Sequence, residues 1–120
     1  MCLQCHPFPE FLAVFATTTV SNQIQQLKGY LDLWATTKAP LALRTNYGAM
    51  AWEYTTPGTL STGTVGPSSS EQSQIPVNIR KARFNLYIVF HDGSFGVHNG
   101  PYTIALLDAA RTWIQQELNK

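Results

Sequence analysis

The first third of the chain carries apolar residues that alternate at steps of four and three, which places them on one face of a helix. These residues are Val20, Ile24, Leu27, Leu31 and Trp34. Polar residues such as Lys28 and Asp32 lie off this stripe and are expected to face water. Gly29 inside the pattern either costs about 1 kcal/mol relative to alanine or marks a close approach of another group. No proline interrupts the pattern before Pro40, and a residue that precedes proline avoids the helical region. The pattern therefore predicts one long amphipathic helix over residues 9–38.

Residues 44–75 have a different composition. Gly, Ser, Thr and Pro dominate residues 55–73, and these residue types favour turns and loops. The first half of the segment also contains large side chains, which indicates that this half packs against the rest of the protein. They are Tyr47, Met50, Trp52 and Tyr54. We expect a long irregular loop over 44–75, with room for a short helical turn near 49–54, and no sheet.

Two shorter helices are predicted after the loop. Pro76 suits the first position of one helix, and Gly100-Pro101 suits the start of the next. The first helix should bury Ile79, Ala82, Leu86, Val89 and Phe90 and end at Asp92-Gly93. The second should bury Tyr102, Leu106, Ala109 and Trp113 and leave Gln115, Gln116, Glu117 and Lys120 in water. The expected fold is all-α, with the long helix, the loop and a helical hairpin over 76–120 in one domain spanning 1–120.

Composition limits the classes of function. The chain of 120 residues is 44% hydrophobic but only 12% charged, about half the usual charged fraction. The low charge suggests that much of the surface contacts a cofactor or a neighbour. A formal net charge of +1 gives no sign of nucleic-acid binding. The longest apolar run, residues 11–16, is too short to cross a bilayer, so no transmembrane segment is expected.

Residues 1–8 contain the strongest chemical motif. Cys2 and Cys5 flank two residues and His6 follows directly, which is the C-x-x-C-H pattern of c-type haem attachment. In this pattern both thiols form thioethers with the porphyrin, and the histidine ligates the iron. A zinc site built from these residues is less favoured because further ligands lie about 90 residues away in the sequence. A redox dithiol of the thioredoxin type is also less favoured, since the pattern predicts no strands.

A sixth iron ligand can be sought among the other donors. His98 stands in Gly96-Val97-His98-Asn99-Gly100, a glycine-bounded loop ahead of a helix, which could present an imidazole to iron. His91 is less favoured, because a histidine at the end of a helix already interacts with the helix dipole. Met1, Met50 and the lysines are further candidates. Three cations could contact haem propionates, although a solvated helix face is the simpler interpretation. They are Arg80, Lys81 and Arg83.

Residues 78–110 resemble the carboxy-terminal helical region of multihaem c-type cytochromes, the group that includes cytochrome c nitrite reductases and octahaem relatives. The shared features are Ala82-Arg83-Phe84-Asn85, Asp92-Gly93-Ser94 and Gly96-Val97-His98-Asn99, followed by Tyr102, Leu106 and Leu107. The resemblance implies that His98 is a distal haem ligand, either of the haem bound at His6 or of another haem. The chain has one attachment motif where that group has several, and it contains no C-x-x-C-K.

The resulting expectation is electron transfer through one covalent haem c with bis-histidine ligation, as part of a multihaem cytochrome, with the predicted helices packed around that haem. The alternative is the tail of a multihaem reductase of small nitrogen or sulfur compounds whose catalytic haem lies elsewhere. A third interpretation is a haem-free structural segment that packs with a partner. Because haem c is attached outside the cytoplasm, a periplasmic or extracellular location is expected. No leader precedes Cys2, so a fragment or mature form is expected. Partners would be haem-bearing domains, redox proteins or further copies in an oligomer.

Overall fold

The computed structural model describes residues 9–54, 66–92 and 100–120, with side chains described over 19–54, 66–91 and 101–120. Four α-helices account for most of these residues. They are α1 (Pro9–Thr37), α2 (Leu41–Tyr47), α3 (Val77–Asp92) and α4 (Gly100–Leu118). Two 3₁₀ helices span Gly48–Met50 and Ser69–Gln74. No strand occurs among the described residues, so the predicted all-α class is confirmed for them. The expected packing of the helices around a haem stays a prediction.

Helix α1 buries the stripe that the sequence predicts. All five of its apolar residues are at most 2% exposed. The helix ends at Thr37, where the backbone N–H groups of Lys38 and Ala39 both donate to the carbonyl of Trp34. Pro40 follows and starts α2, because its fixed φ suits the entry to a new helix but not continuation of the old one.

The segment predicted as loop over 44–75 is partly helical. Residues up to Tyr47 belong to α2, the turn near residue 49 is the Gly48–Met50 3₁₀ helix, and Ser69–Gln74 forms a second one. Residues 55–65 of the predicted loop lie outside the described residues. The prediction that the first half packs against the protein is confirmed by Trp52, which is fully buried.

Helices α3 and α4 form an antiparallel pair. Asn85 Nδ2 donates to the carbonyl of Leu106 at 2.9 Å, and Asn78 Nδ2 donates to Glu117 Oε2 at 2.9 Å. In α3 the predicted residues Ile79, Ala82, Leu86 and Val89 are buried. Phe90 is 37% exposed, so its predicted burial is wrong. It follows Val89 by about 100° around the helix, which turns it away from the core.

The buried face of α4 differs from the predicted one by a single position. The core takes Thr103, Leu107, Ala110, Ile114 and Glu117. Tyr102 is 57% exposed, and the predicted partners Leu106 and Trp113 are only partly buried. Both sets repeat at four-three-four spacing, so spacing alone could not choose between them. The choice is made by packing, because the set from 103 to 117 faces α1 and α3.

The core lies between α1, α3 and α4. It is closed by Leu43, Trp52 and Ile75 from the connecting segment, which we define as the described residues between Thr37 of α1 and Val77 of α3. Helix α1 runs parallel to α4, since Arg111 Nη2 donates to Gln26 Oε1 at 3.1 Å and residues 34 and 38 share a cleft with residues 117 and 120. None of the described helices is long and apolar enough to cross a membrane.

Candidate functional site

The predicted haem-attachment residues and the predicted distal ligand lie outside the described residues. They are Met1, Cys2, Cys5, His6 and His98. The structure nevertheless describes the helix ends from which their segments extend. The attachment segment precedes Pro9 at the start of α1, and the His98 segment joins Asp92 of α3 to Gly100 of α4.

These three helix ends lie at one end of the bundle. At a rise of 1.5 Å per residue, α3 continues for about 11 Å from the Asn85–Leu106 contact to Asp92. From the same contact, α4 extends back for about 9 Å to Gly100. From the Gln26–Arg111 contact, α1 extends back to Pro9 by about 26 Å and α4 back to Gly100 by about 17 Å. The amino end of α1 therefore lies about 9 Å beyond the level at which α4 begins.

His91 lies at this same end, in the last turn of α3. Its ring meets Tyr87 edge-on with centroids 6.2 Å apart, and meets Phe90 at 5.3 Å. The residue is exposed. Its position in the last helical turn is the one expected for a histidine that interacts with the helix dipole.

The basic cluster lies in the opposite half of the hairpin. Lys81 is about 16 Å along α3 from Asp92, and its Nζ stands 4.5 Å above the centre of the Trp113 ring. Arg80 Nε donates to the carbonyl of Ile75 at 3.0 Å. Arg83 Nη1 donates to the carbonyls of Trp52 and Glu53 at 3.1 and 3.3 Å. Arg80 and Arg83 therefore hold the connecting segment, and the propionate role of the three cations stays a prediction.

A buried polar cluster around Glu53 was not predicted from the sequence. Glu53 is 2% exposed, and Tyr87 Oη donates to its Oε1 at 2.6 Å. Burial, reinforced by this bond to a carboxylate, raises the pKa of Tyr87. Burial also lowers the pKa of the Arg83 guanidinium, whose Nη1 additionally donates to Gln72 Oε1 at 2.6 Å. The only sequence signal was a lone acidic residue between Trp52 and Tyr54, in a stretch expected to pack.

Trp52 connects the region around Glu53 to α1. Its indole Nε1 donates to Asp32 Oδ1 at 2.8 Å, so Asp32 does not simply face water as predicted. Met50, a candidate iron ligand from the sequence, lies in the 3₁₀ helix Gly48–Met50 and is partly buried. These contacts connect α1 to α3 through the region around Glu53, which closes that side of the core.

An open cleft of about 380 Å³ lies on the outer side of the α3–α4 pair. It is lined by Val77, Arg80, Lys81, Phe84, Asn85 and Trp113. Its walls are mostly apolar, with cations at the rim. Across the described ranges, no three side chains of His, Cys, Asp or Glu are arranged to hold a metal ion.

Comparison with known proteins found no matching family model, no matching curated protein and no matching solved structure.

Proposed function

We propose that this chain binds one haem c through Cys2 and Cys5, with His6 as an iron ligand, and transfers electrons through it. The observation that carries the proposal is the C-x-x-C-H motif at residues 2–6. Both cysteines of the chain fall within it, so no other thiol competes for the role.

The arrangement of the helix ends supports His98 as the second axial ligand of the same haem. His6 precedes Pro9 by three residues and His98 precedes Gly100 by two. A chain spans at most about 3.6 Å per residue, so these tethers are about 11 Å and 7 Å long. Both start at the same end of the bundle, which makes a shared iron compatible with the connectivity. His91 is at this end too and is the natural comparison in any test of ligation.

Two histidine ligands would leave the iron no open position for substrate, which favours electron relay over catalysis. The potential of such an iron should lie below that of a His/Met iron, because thioether ligation raises it. Haem-bearing domains or redox proteins would be the partners, and attachment of the haem would take place in the periplasm or outside the cell.

Attachment is tested by producing the chain behind an export leader in a host that matures c-type cytochromes. The purified chain should give the absorbance of a c-type pyridine haemochrome and keep its haem after acid-acetone extraction. The double variant Cys2→Ser/Cys5→Ser is the matched control and should lose the covalent haem. Absence of a c-type band in the parent chain would exclude the proposed function.

Ligation is tested separately on the haem-loaded chain. His98→Ala should convert a low-spin, six-coordinate spectrum towards high spin, and added imidazole should reverse the change. His91→Ala serves as the matched control and should leave the spectrum low-spin. An unchanged spectrum in His98→Ala would show that His98 does not ligate this iron, while attachment through Cys2 and Cys5 would stand on its own test.

A further inference from the structure

The α3–α4 pair has a second apolar face on the side away from α1. We define the outer hairpin face as Val77, Phe84 and Ile88 of α3 with Tyr102 of α4. These side chains are 58%, 64%, 40% and 57% exposed. Large apolar side chains exposed together mark an interaction surface more often than isolated ones do.

The face continues along both helices at a spacing suited to helix partners. On α3, positions 77, 81, 84, 88 and 91 follow one another at steps of four and three. On α4, positions 102, 106, 109, 113 and 116 do the same, and these include the stripe that the sequence predicts as buried. Because the two helices are antiparallel and in register, the two seams form one surface. Such seams pack on other helices at a small crossing angle.

We propose that this face pairs with the same face of a second copy of the chain, so that two α3–α4 pairs form a four-helix interface. The face carries both parts that a self-pairing surface needs. Phe84, Ile88 and Tyr102 are exposed side chains, and the open cleft of about 380 Å³ that Phe84 helps to line offers a recess large enough for an aromatic ring. In a two-fold interface each copy supplies the same patch, so the protrusions of one copy can enter the recess of the other.

Area and charge are consistent with a second copy. An aromatic side chain has about 150–250 Å² of surface, so at the exposures given above Phe84 and Tyr102 alone leave roughly 250 Å² uncovered, and the aliphatic Val77 and Ile88 add to this area. A standard interface takes about 800 Å² from each partner, of which the apolar core is the larger part. Lys81 and Gln116 are exposed and are placed to supply a polar rim. A formal net charge of +1 gives two copies only weak long-range repulsion, and Lys81, the cation within the α3 seam, lies over the Trp113 ring.

The test is the mass of the full chain in solution, measured by sedimentation under reducing conditions so that Cys2 and Cys5 cannot form disulfides between chains. At tens of micromolar the chain should sediment at twice its 13.3 kDa mass. Phe84→Glu should raise the dimer dissociation constant by about thirtyfold or more, since it places a charge at the centre of the interface. Leu41→Glu is the matched control, because Leu41 is 71% exposed at the start of α2, outside the face, and this variant should stay dimeric.

Circular dichroism checks that each variant keeps its helical content. If Phe84→Glu fails to fold, the milder Tyr102→Gln replaces it and should weaken the dimer in the same direction. A monomeric parent chain at 100 micromolar would overturn the proposal and leave a different protein as the partner of this face. A dimer that survives Phe84→Glu, or one that Leu41→Glu breaks, would also overturn it. Because the test does not need haem, its outcome is independent of the proposed function.

Discussion

The Arg83 side chain joins two segments that are far apart in the sequence. Its Nη1 contacts the carbonyls of Trp52 and Glu53 and the amide oxygen of Gln72, which lie on either side of residues 55–65. A planar, permanently charged guanidinium suits such a role, because it can serve several acceptors without losing its proton. At the scale of single residues, this contact helps to fix the connecting segment to α3, together with the bonds from Arg80 and Tyr87.

We expect Arg83→Met to lower the free energy of unfolding by about 2–3 kcal/mol, because three partly buried acceptors would lose a charged donor. Arg80→Met is the matched control on the same helix. Arg80 gives a single bond to the carbonyl of Ile75, so its loss should cost about 1 kcal/mol. Urea unfolding followed by circular dichroism measures both. Equal costs for the two variants would contradict the role assigned to Arg83.

At the scale of elements, α1 carries a glycine that its packing does not need. Gly29 lies in the middle of the helix, and a Cβ at this position would meet nothing within 4 Å. The sequence left open whether Gly29 lowers the stability of the helix or allows another group to approach closely. Among the described residues no group comes close, so the structure favours the loss of helix stability. Gly48 differs, because its φ of 56° lies in a region that other residues avoid.

Gly29→Ala should therefore raise the free energy of unfolding by about 1 kcal/mol, the difference in helix propensity between the two residues. Gly48→Ala has equally open space for its methyl group but should lower stability by about 1–3 kcal/mol through backbone strain. Thermal and urea unfolding of the two variants give the comparison. A loss of stability in Gly29→Ala would indicate that something contacts this face of α1 in solution.

At the scale of the whole molecule, a hydrogen-bonded contact joins the two ends of the connecting segment, and its contribution to stability should depend on pH. Tyr47 Oη donates to Glu71 Oε1 at 2.5 Å, and the N–H and hydroxyl of Ser68 donate to the same oxygen at 3.0 and 2.8 Å. The bond from Tyr47, followed by those from Ser68, lowers the pKa of Glu71. The contact joins α2 to the Ser69–Gln74 helix, so its strength bears on the stability of the whole fold.

A carboxyl whose pKa is lower in the folded state stabilises the fold above its ordinary pKa, here 4.5, and this contribution is lost as the pH falls below that value. We expect Glu71→Gln to make the stability of the protein less dependent on pH between 7 and 3. Tyr47→Phe should reduce the dependence in the same direction, because it removes the largest cause of the shift. Urea unfolding across this pH range measures the slopes. Unchanged slopes in both variants would show that the contact does not contribute in solution.

The prediction of this molecule from its sequence worked best where a helix has one apolar stripe. In α1 a single set of positions satisfied the helical period, and that set is the buried one. Helix α4 has two apolar sets offset by one residue, so periodicity could not tell the core face from the outer hairpin face. The buried Glu53 cluster could not be predicted either, because its members come from residues 53, 72, 83 and 87, which have no periodic relation.

For the candidate site, the prediction of a haem rests on the sequence alone. The motif of Cys2, Cys5 and His6 indicates a haem, because the reactivity of two thiols and an imidazole at that spacing depends on local sequence. The sequence also determines the all-α class of the described residues, since helical periodicity is a local property. Only the tertiary structure decides that the helix ends next to His6 and His98 share one end of the bundle, and that α4 keeps one of its apolar faces outside. Both depend on how separate helices pack, a property of long-range contacts that local spacing does not encode.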